Sequence, residues 1–503
     1  MRIYWINPTI STNSIYADTG WMELSSSCRN HEWIEPIIDW DSYSTVESIV
    51  NKILGHNPDM VCFSSYIWNE QLEVDIVKSL KQKRPDIITV RGGPNQTKGF
   101  EYFNYSNPPL DAGEPFMVKL LNELTGDNII ERTKQFPEES SIMYNMSYMI
   151  SVASTAKSLN KNSVFNLETT RGCPYSCTYC EWGGGIGTKI FQKPLKNVYE
   201  EIDLCSSLKI DEIDIADANF GILPRDVHIM QKLVDNKNMF GYPKSTMIYG
   251  ITKNKVEKKL AIYEIAAKGK MMDAFSVPIQ SMTETVKKNI KRTDTPLLET
   301  LQMCTYLKDT YGVNPRLELI MGLPGSTLED FYNEYDLVEY VKNWVWTRYP
   351  FSLLSATEAA TPFYRRLHKI KTALVPLPLN DCDLSGNVDS DKPKSIVNTF
   401  RMEEEIVVEA NGYTRTEWVQ MFFMNYAQVV IGPRLPQKEK ASIEMRKVWE
   451  DLQDKKWFQY LIKEIDKLSL GNRPDEDFLH YDGMNIQEWV KHYYYDGKQY
   501  DGI

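Results

Sequence analysis

Apolar positions in this chain alternate between short continuous runs and longer stretches in which they recur every three or four residues, the mark of strands interleaved with helices. Arg2 to Asn7 reads as a strand that stops at the turn signal Asn7-Pro8, and a poorly periodic segment, Thr9 to Tyr43, follows. Ser44 and Glu47 have capping-box spacing, and Val46, Ile49, Val50, Ile53 and Leu54 share one helical face until Gly55 ends it. Asp59 to Tyr66 is an apolar strand closing at Ser64-Ser65. Leu72, Ile76, Val77 and Leu80 mark a helix that Pro85 closes. Ile87 to Arg91 is a strand running into Gly92-Gly93-Pro94. Leu110-Asp111-Ala112 predicts a further short strand, ending at Gly113-Glu114-Pro115 before a helix through Phe116 to Leu124.

Strands alternating with helices predict βαβ units, so residues 1–127 are expected to form a Rossmann-like open parallel sheet in an α/β fold. Ligands of such sheets bind outside the carboxyl ends of the strands. Asn7, Ser64, Ser65, Gly92, Gly93, Pro94, Gly113 and Glu114 stand there, and small residues admit a large flat ligand close to the backbone. The same residues also serve simply as tight strand-to-helix turns.

Residues 128–162, polar and rich in Ser, Asn and Met with Pro137 among them, are read as an irregular linker. Over residues 163–380 six strands are expected: Val164 to Thr170, Glu212 to Ala216, Ser245 to Tyr249, Ala274 to Gln280, Arg316 to Gly322 and Arg348 to Leu354. Helical segments such as Asn197 to Leu208 lie between them. This is a partial (β/α)6 barrel of TIM type, with its chemistry at the carboxyl strand ends. Residues 381–503 are read as a mainly α-helical region, in which Thr414 and Glu417 cap an aromatic face of Trp418, Met421, Phe422 and Tyr426.

The candidate chemistry follows the first of those strands. Arg171 to Cys180 (RGCPYSCTYC) carries Cys173, Cys177 and Cys180, three soft ligands on one tight loop. Such a set suits three irons of a 4Fe–4S cluster and leaves the fourth open. A zinc site would need a partner pair, yet Cys28, Cys62, Cys205, Cys304 and Cys382 are scattered singly. A disulfide framework is not expected in 503 residues with 8 cysteines and no signal-peptide pattern at Met1-Arg2-Ile3-Tyr4-Trp5. Glu181-Trp182-Gly183-Gly184-Gly185, directly after, supplies glycines for folding tightly around the metal.

Composition narrows the field. With 42% hydrophobic and 25% charged residues and no apolar run near membrane length, a soluble, cytoplasmic protein without a membrane anchor is expected. A net charge of −11 and no basic stripe argue against a nucleic-acid partner. Lys81-Gln82-Lys83-Arg84 and Lys287-Lys288 read as solvated helix faces.

With Tyr179 before its third cysteine, the loop resembles the signature of the radical S-adenosylmethionine superfamily. The resemblance implies a 4Fe–4S cluster held by Cys173, Cys177 and Cys180. Its open iron chelates S-adenosylmethionine, which is cleaved to a radical that removes hydrogen from an unreactive carbon. It further implies S-adenosylmethionine contacts from Tyr179, Asp217, Asn219, Ser276, Gln280, Ser281, Arg292, Glu318, Gly322 and Leu323.

The N-terminal domain, through Gly92-Gly93-Pro94 and Asp111-Ala112-Gly113-Glu114, is similar to the cobalamin-binding domain of that superfamily's cobalamin-dependent branch. It lacks the D-x-H-x-x-G motif; His31 and His56 have the wrong neighbours, so cobalamin would bind without a histidine beneath its cobalt. The resemblance implies a methyltransferase acting on an unactivated carbon of a small molecule or peptide, with a reducing partner such as a flavodoxin or ferredoxin. Cyclisation, ring contraction, oxidation, and a non-catalytic cobalamin or redox sensor remain as alternatives.

Overall fold

In the computed structural model, residues 1–9, 13–109, 111–127, 136, 139–184, 189–341, 347–378, 401–435, 438–472 and 486–495 are described. The chain packs as two units. The first comprises Met1–Ser176, Cys180–Asp273 and Leu377–Met402; the second comprises Cys177–Tyr179, Ala274–Pro376 and Glu403–Ile503.

In the first unit, strands β1 (Arg2–Ile6), β3 (Glu32–Trp33), β4 (Met60–Ser64), β5 (Ile88–Gly92) and β6 (Tyr105–Ser106) form a parallel sheet in the order β3-β1-β4-β5-β6. Strand β2 (Ser14–Tyr16) belongs to a different sheet. Tyr4, Ile6, Val61 and Phe63 meet Ile49, Val50 and Ile53 of helix Val46–Gly55 and Leu72, Ile76 and Leu80 of helix Glu70–Lys83 in one buried cluster. Each fully buried Leu, Ile or Phe of this kind stabilises the fold by about 1.5–3 kcal/mol. Because β3 flanks β1 on one side and β4 on the other, the strand order switches at β1, whose carboxyl end is Asn7-Pro8.

Four local expectations are corrected. No strand forms at Asp111-Ala112; β6 at Tyr105–Ser106 completes the sheet, and Leu110 lies outside the described residues. The cap of helix Val46–Gly55 is Thr45, whose hydroxyl accepts from Ser48 N at 3.1 Å, since Ser44 stands one residue too early. Within Thr9 to Tyr43, Asp18 caps a helix, Thr19–Ser27, whose apolar residues are too few for a periodic signal. The span expected as irregular holds helices Ser141–Tyr144 and Met146–Ser158. Met149, Val152 and Ala156, at helical spacing, are buried there behind a polar surface.

Strand β7 (Asn162–Leu167) follows and pairs in parallel with β2, Ser14 opposite Asn162 and Tyr16 opposite Val164. Strands β8 (Thr170–Arg171) and β9 (Phe191–Gln192) form an antiparallel pair around the cysteine loop. Strand β10 (Glu212–Ile215) continues the sheet beside β7, and the expected third strand appears as isolated bridges at Ser245 and Ile248. In the second unit β11 (Ala274–Gln280), β12 (Asn314–Met321) and β13 (Thr347–Pro350) are parallel neighbours in that order.

The C-terminal region is helical, as expected, over Arg415–Ile431, Ala441–Leu452 and Lys456–Ser469, and Thr414 and Glu417 form the expected capping box. It opens instead with β15 (Arg401–Glu409), paired with β14 (Lys371–Pro378). Residues 381–400 and Gly185 lie outside the described residues, as does Cys382. Among the described residues, no helix is long and apolar enough to cross a membrane.

Candidate active site

At the carboxyl ends of the first sheet a buried polar floor is built. Ser65 Oγ accepts from Arg91 Nε at 2.7 Å and donates to Glu73, while Arg91 Nη2 reaches Glu70 at 2.7 Å. Asn69 Nδ2 donates to Ser64 O at 2.9 Å and Asn7 Oδ1 at 3.3 Å; Asn7 Nδ2 in turn donates to Asp18 at 3.1 Å. Above this floor Gly92-Gly93-Pro94 stays half-exposed. Gly93 has φ +93°, and a Cβ there would stand 2.3 Å from Ser65 O, so only glycine lets the two loops approach. The orphaned, buried Glu73 Oε1 is part of the floor.

The two histidines of the N-terminal sheet region can be placed. His31 precedes β3 and meets the Met1 amino group at 3.3 Å, and His56 precedes β4, so both lie at the amino ends of these parallel strands, opposite the ligand edge. Small residues over this hydrogen-bonded floor leave room for a large planar cofactor at the carboxyl ends of the strands.

Glu73 provides a pH signature. Burial pushes its carboxyl up from 4.5 to about 8, against the pull of Ser65 and Arg91. A folded-state pKa raised in this way contributes stability that is fully present below the unfolded value and is lost as pH rises through the folded one. Thermal unfolding of the protein should therefore move to lower temperature between about pH 5 and about pH 9, and Glu73→Gln should reduce that slope. An unchanged slope in the variant would remove Glu73 as its source.

The cysteine loop is fastened from within each unit. In the first, Asp217, at the carboxyl end of β10, accepts from Thr169 N at 2.6 Å, Thr170 N at 3.0 Å and both threonine hydroxyls at 2.5 and 2.8 Å. Burial lifts its carboxyl to about 6 although these donors pull it down. Arg171 forks onto Glu168 at 2.9 and 2.8 Å and onto Glu114 at 3.1 and 3.2 Å. Arg225 holds Thr169 O and Lys193 O, each at 2.6 Å. Cys173 Sγ accepts from Asn219 Nδ2 at 3.0 Å, the kind of bond that tunes a metal-bound sulfur. Beside Cys180, burial raises Glu181 to about 7.

In the second unit the tripeptide Cys177–Tyr179 is fixed residue by residue. Cys177 Sγ lies 3.9 Å from Lys291 O, and Thr178 N donates to Ile290 O at 3.1 Å while Thr178 O accepts from Ala359 N at 2.8 Å. Tyr179 OH is bonded to Arg292 Nη1 at 2.6 Å; Arg292 Nε binds Asp294 at 2.7 Å and Nη2 binds Pro278 O.

Strands β11 and β12 bury Phe275, Val277, Ile279, Leu317, Leu319 and Met321 on one face. On the other, Ser276, Gln280 and Glu318 stay half-exposed, with Ser276 donating to Glu318. Gln280 adopts φ +65° where the β11–β12 register shifts, a strained backbone of the kind concentrated at binding sites.

The expected residues therefore divide. Asn219, Ser276, Gln280 and Glu318 offer polar groups on half-open faces or against a cysteine. The hydrogen-bonding groups of Asp217, Ser65, Glu114 and Arg292 are occupied by protein partners. Ser281 is buried beside Gln280, its backbone N bonded to Ile279 O at 2.8 Å. Gly322 has φ +84° with its carbonyl bonded to Tyr413 OH at 2.7 Å, Leu323 is fully buried, and Gly113 begins helix Gly113–Thr125. Sequence reasoning missed Arg171, Arg225 and Tyr364. A charged residue adjoining the first cysteine was the available signal for Arg171; nothing local marks the other two.

Among the described residues no three Cys, His, Asp or Glu side chains gather as a single metal ion requires. The donors instead suit a larger soft centre: three thiols within eight residues, Cys173 and Cys177 buried and Cys180 half-buried. A parallel sheet with small residues at its carboxyl edge, followed by a tri-cysteine loop at a strand end, is the arrangement for which the sequence resembles a radical S-adenosylmethionine protein with a cobalamin-binding domain.

Comparison with known proteins agrees. Residues 167–338 match the Radical SAM superfamily and residues 9–112 match the B12 binding domain, so the chain carries a radical SAM domain and a B12-binding domain. The cofactors of these domains are S-adenosylmethionine with a 4Fe–4S cluster, and cobalamin.

The chain is 24% identical over 392 residues to the 2-(S-pantetheinyl)-carbapenam-3-carboxylate methyltransferase of Streptantibioticus cattleyicolor, covering 73% of this chain and 56% of that protein. It is also 24% identical over 391 residues to the cobalamin-dependent radical SAM methyltransferase TokK of Streptomyces tokunonensis, covering 73% and 55%. The chain thus spans little more than half the length of these curated relatives. In fold it resembles the radical S-adenosylmethionine methyltransferase TsrM of Kitasatospora setae, with TM-score 0.58, 14% identity and coverage of 85% and 89%.

Proposed function

We propose that this protein is a cobalamin-dependent radical methyltransferase that methylates an unactivated carbon of a small molecule or peptide. The observation that carries the reading is the buried ion pair of Arg171 with Glu114. It fastens the cysteine loop to the first turn of the helix that follows the B12-type sheet, linking the two cofactor-binding parts through one guanidinium. Two relatives named as methyltransferases support the methyl-transfer outcome.

Cys173, Cys177 and Cys180 would hold the cluster; Ser276, Gln280 and Glu318 would line the S-adenosylmethionine side; Gly92-Gly93-Pro94 would lie against cobalamin. When bound, these groups supply hydrogen-abstraction and methyl-transfer chemistry, and the protein supplies alignment and exclusion of water. Asn219 would steady the first thiolate by its N–H···S bond. Arg292 acts at one remove, holding the Tyr179 phenol in place with all three of its side-chain nitrogens engaged. Asp217 fixes Thr169-Thr170 and so the direction in which the loop leaves β7.

The test is anaerobic reconstitution with iron, sulfide and hydroxocobalamin, followed by S-adenosylmethionine under titanium(III) citrate. Corrinoid absorbance retained by the protein and cobalamin-dependent formation of S-adenosylhomocysteine are expected. Formation of 5′-deoxyadenosine with no S-adenosylhomocysteine under any condition would sink the methyltransferase reading and leave a different radical reaction.

A further inference from the structure

The short helix Pro362–Leu367 has one side on the cysteine tripeptide and the other in solvent. Tyr364, buried, shares a 3.1 Å hydrogen bond with the Thr178 hydroxyl and donates to Asn289 O at 3.0 Å. Phe363 and Leu367, four residues apart and so on one face, are 69% and 56% exposed, and Leu374 on β14 is 51% exposed.

The stretch from Pro362 to Leu374 carries Arg365, Arg366, Lys369 and Lys371 and no Asp or Glu, in a chain of net charge −11. Arg365 is paired with Glu405, and Lys371 with Glu409 at 2.7 Å; Arg366 and Lys369 are exposed and have no charged partner among the described residues. A local cationic rim around an exposed apolar seat, on an otherwise anionic protein, selects an acidic partner by steering and by charge complementarity.

We infer that this face is the docking site of the protein's electron donor, an acidic flavodoxin-type carrier. The inference rests on the radical reading above, which requires one electron at the cysteine loop. Phe363 and Leu367 would receive the apolar dimethylbenzene edge of the carrier's flavin, and Arg366 and Lys369 the carboxylates around it. Phe363 and Leu367 stand on the same short helix as Tyr364, whose hydroxyl touches Thr178, the residue flanked by Cys177 and Tyr179. One electron leaves the carrier for the cluster, and no bond is made or broken at the face.

The experiment measures calorimetric binding of a flavodoxin to the reconstituted full chain and to Arg366→Glu/Lys369→Glu, at low and high salt. Binding about tenfold weaker in the variant, and weaker for both at high salt, is expected. Phe363→Ser should weaken binding with less salt dependence, and Lys447→Glu, an exposed lysine on helix Ala441–Leu452, should leave it unchanged. Flavodoxin-driven 5′-deoxyadenosine formation should fall with binding while dithionite-driven formation stays at the unaltered level, which also shows that the variants are folded.

Equal flavodoxin binding by the charge-reversal variant overturns the docking site, and tight binding of a ferredoxin in place of flavodoxin overturns the choice of carrier. Absence of dithionite-driven cleavage in the unaltered protein tells instead against the radical reading, since binding is read independently of turnover.

Discussion

Cys177→Ala is expected to abolish both cluster assembly and S-adenosylmethionine cleavage while leaving the fold in place. Iron after anaerobic reconstitution should drop from about four per chain towards background, and 5′-deoxyadenosine should become undetectable by chromatography. The fold survives because the tripeptide is held by groups the substitution does not touch: Thr178 N on Ile290 O, Thr178 O under Ala359 N, and Tyr179 OH on Arg292. Loss of one buried thiol is expected to cost about 1 kcal/mol, read from the denaturation midpoint. Cleavage at the unaltered rate would mean that the thiol is no ligand, and the assignment of the loop would fail.

Arg171→Met should have the largest effect on stability. The guanidinium is 11% exposed and satisfies two carboxylates, Glu114 at 7% and Glu168 at 24% exposure. Removing one partner of such a buried pair leaves uncompensated charge and costs about 3–5 kcal/mol. Arg171→Lys should recover only part, because an ammonium cannot fork onto two carboxylates. Arg171→Met combined with Glu114→Gln should lose less than the two single changes added together, and strict additivity in denaturant unfolding would show that the pair does not couple.

Much of this architecture was legible because its signals are local. The runs at Arg2, Met60 and Ile88 and the periodic helices between them report their own burial, and the spacing of Cys173, Cys177 and Cys180 reports ligand chemistry without any fold. What escaped depends on residues distant in the chain. Strand β6 has two exposed residues and is recruited by its neighbour β5, so no apolar run announces it. Helix Met146–Ser158 hides its buried stripe among serines. Asp217 looks like a ligand-facing acid at a strand end until Thr169 and Thr170 are seen to occupy it. Arg292 looks like a carboxylate clamp until its three nitrogens are counted. Short-range pattern finds the position of a polar residue at a functional edge, but only its tertiary neighbours decide whether it is free to meet a ligand.

The parallel pairing of Ser14–Tyr16 with Asn162–Val164 constrains how the molecule can be dissected. A fragment starting after the N-terminal sheet would strip β7 of this neighbour, leaving unpaired amide and carbonyl groups along a bare β-edge, where other chains can add. Such a truncation should be sticky even with every cysteine intact. The N-terminal portion is thus a structural participant in the sheet from which the cysteine loop departs.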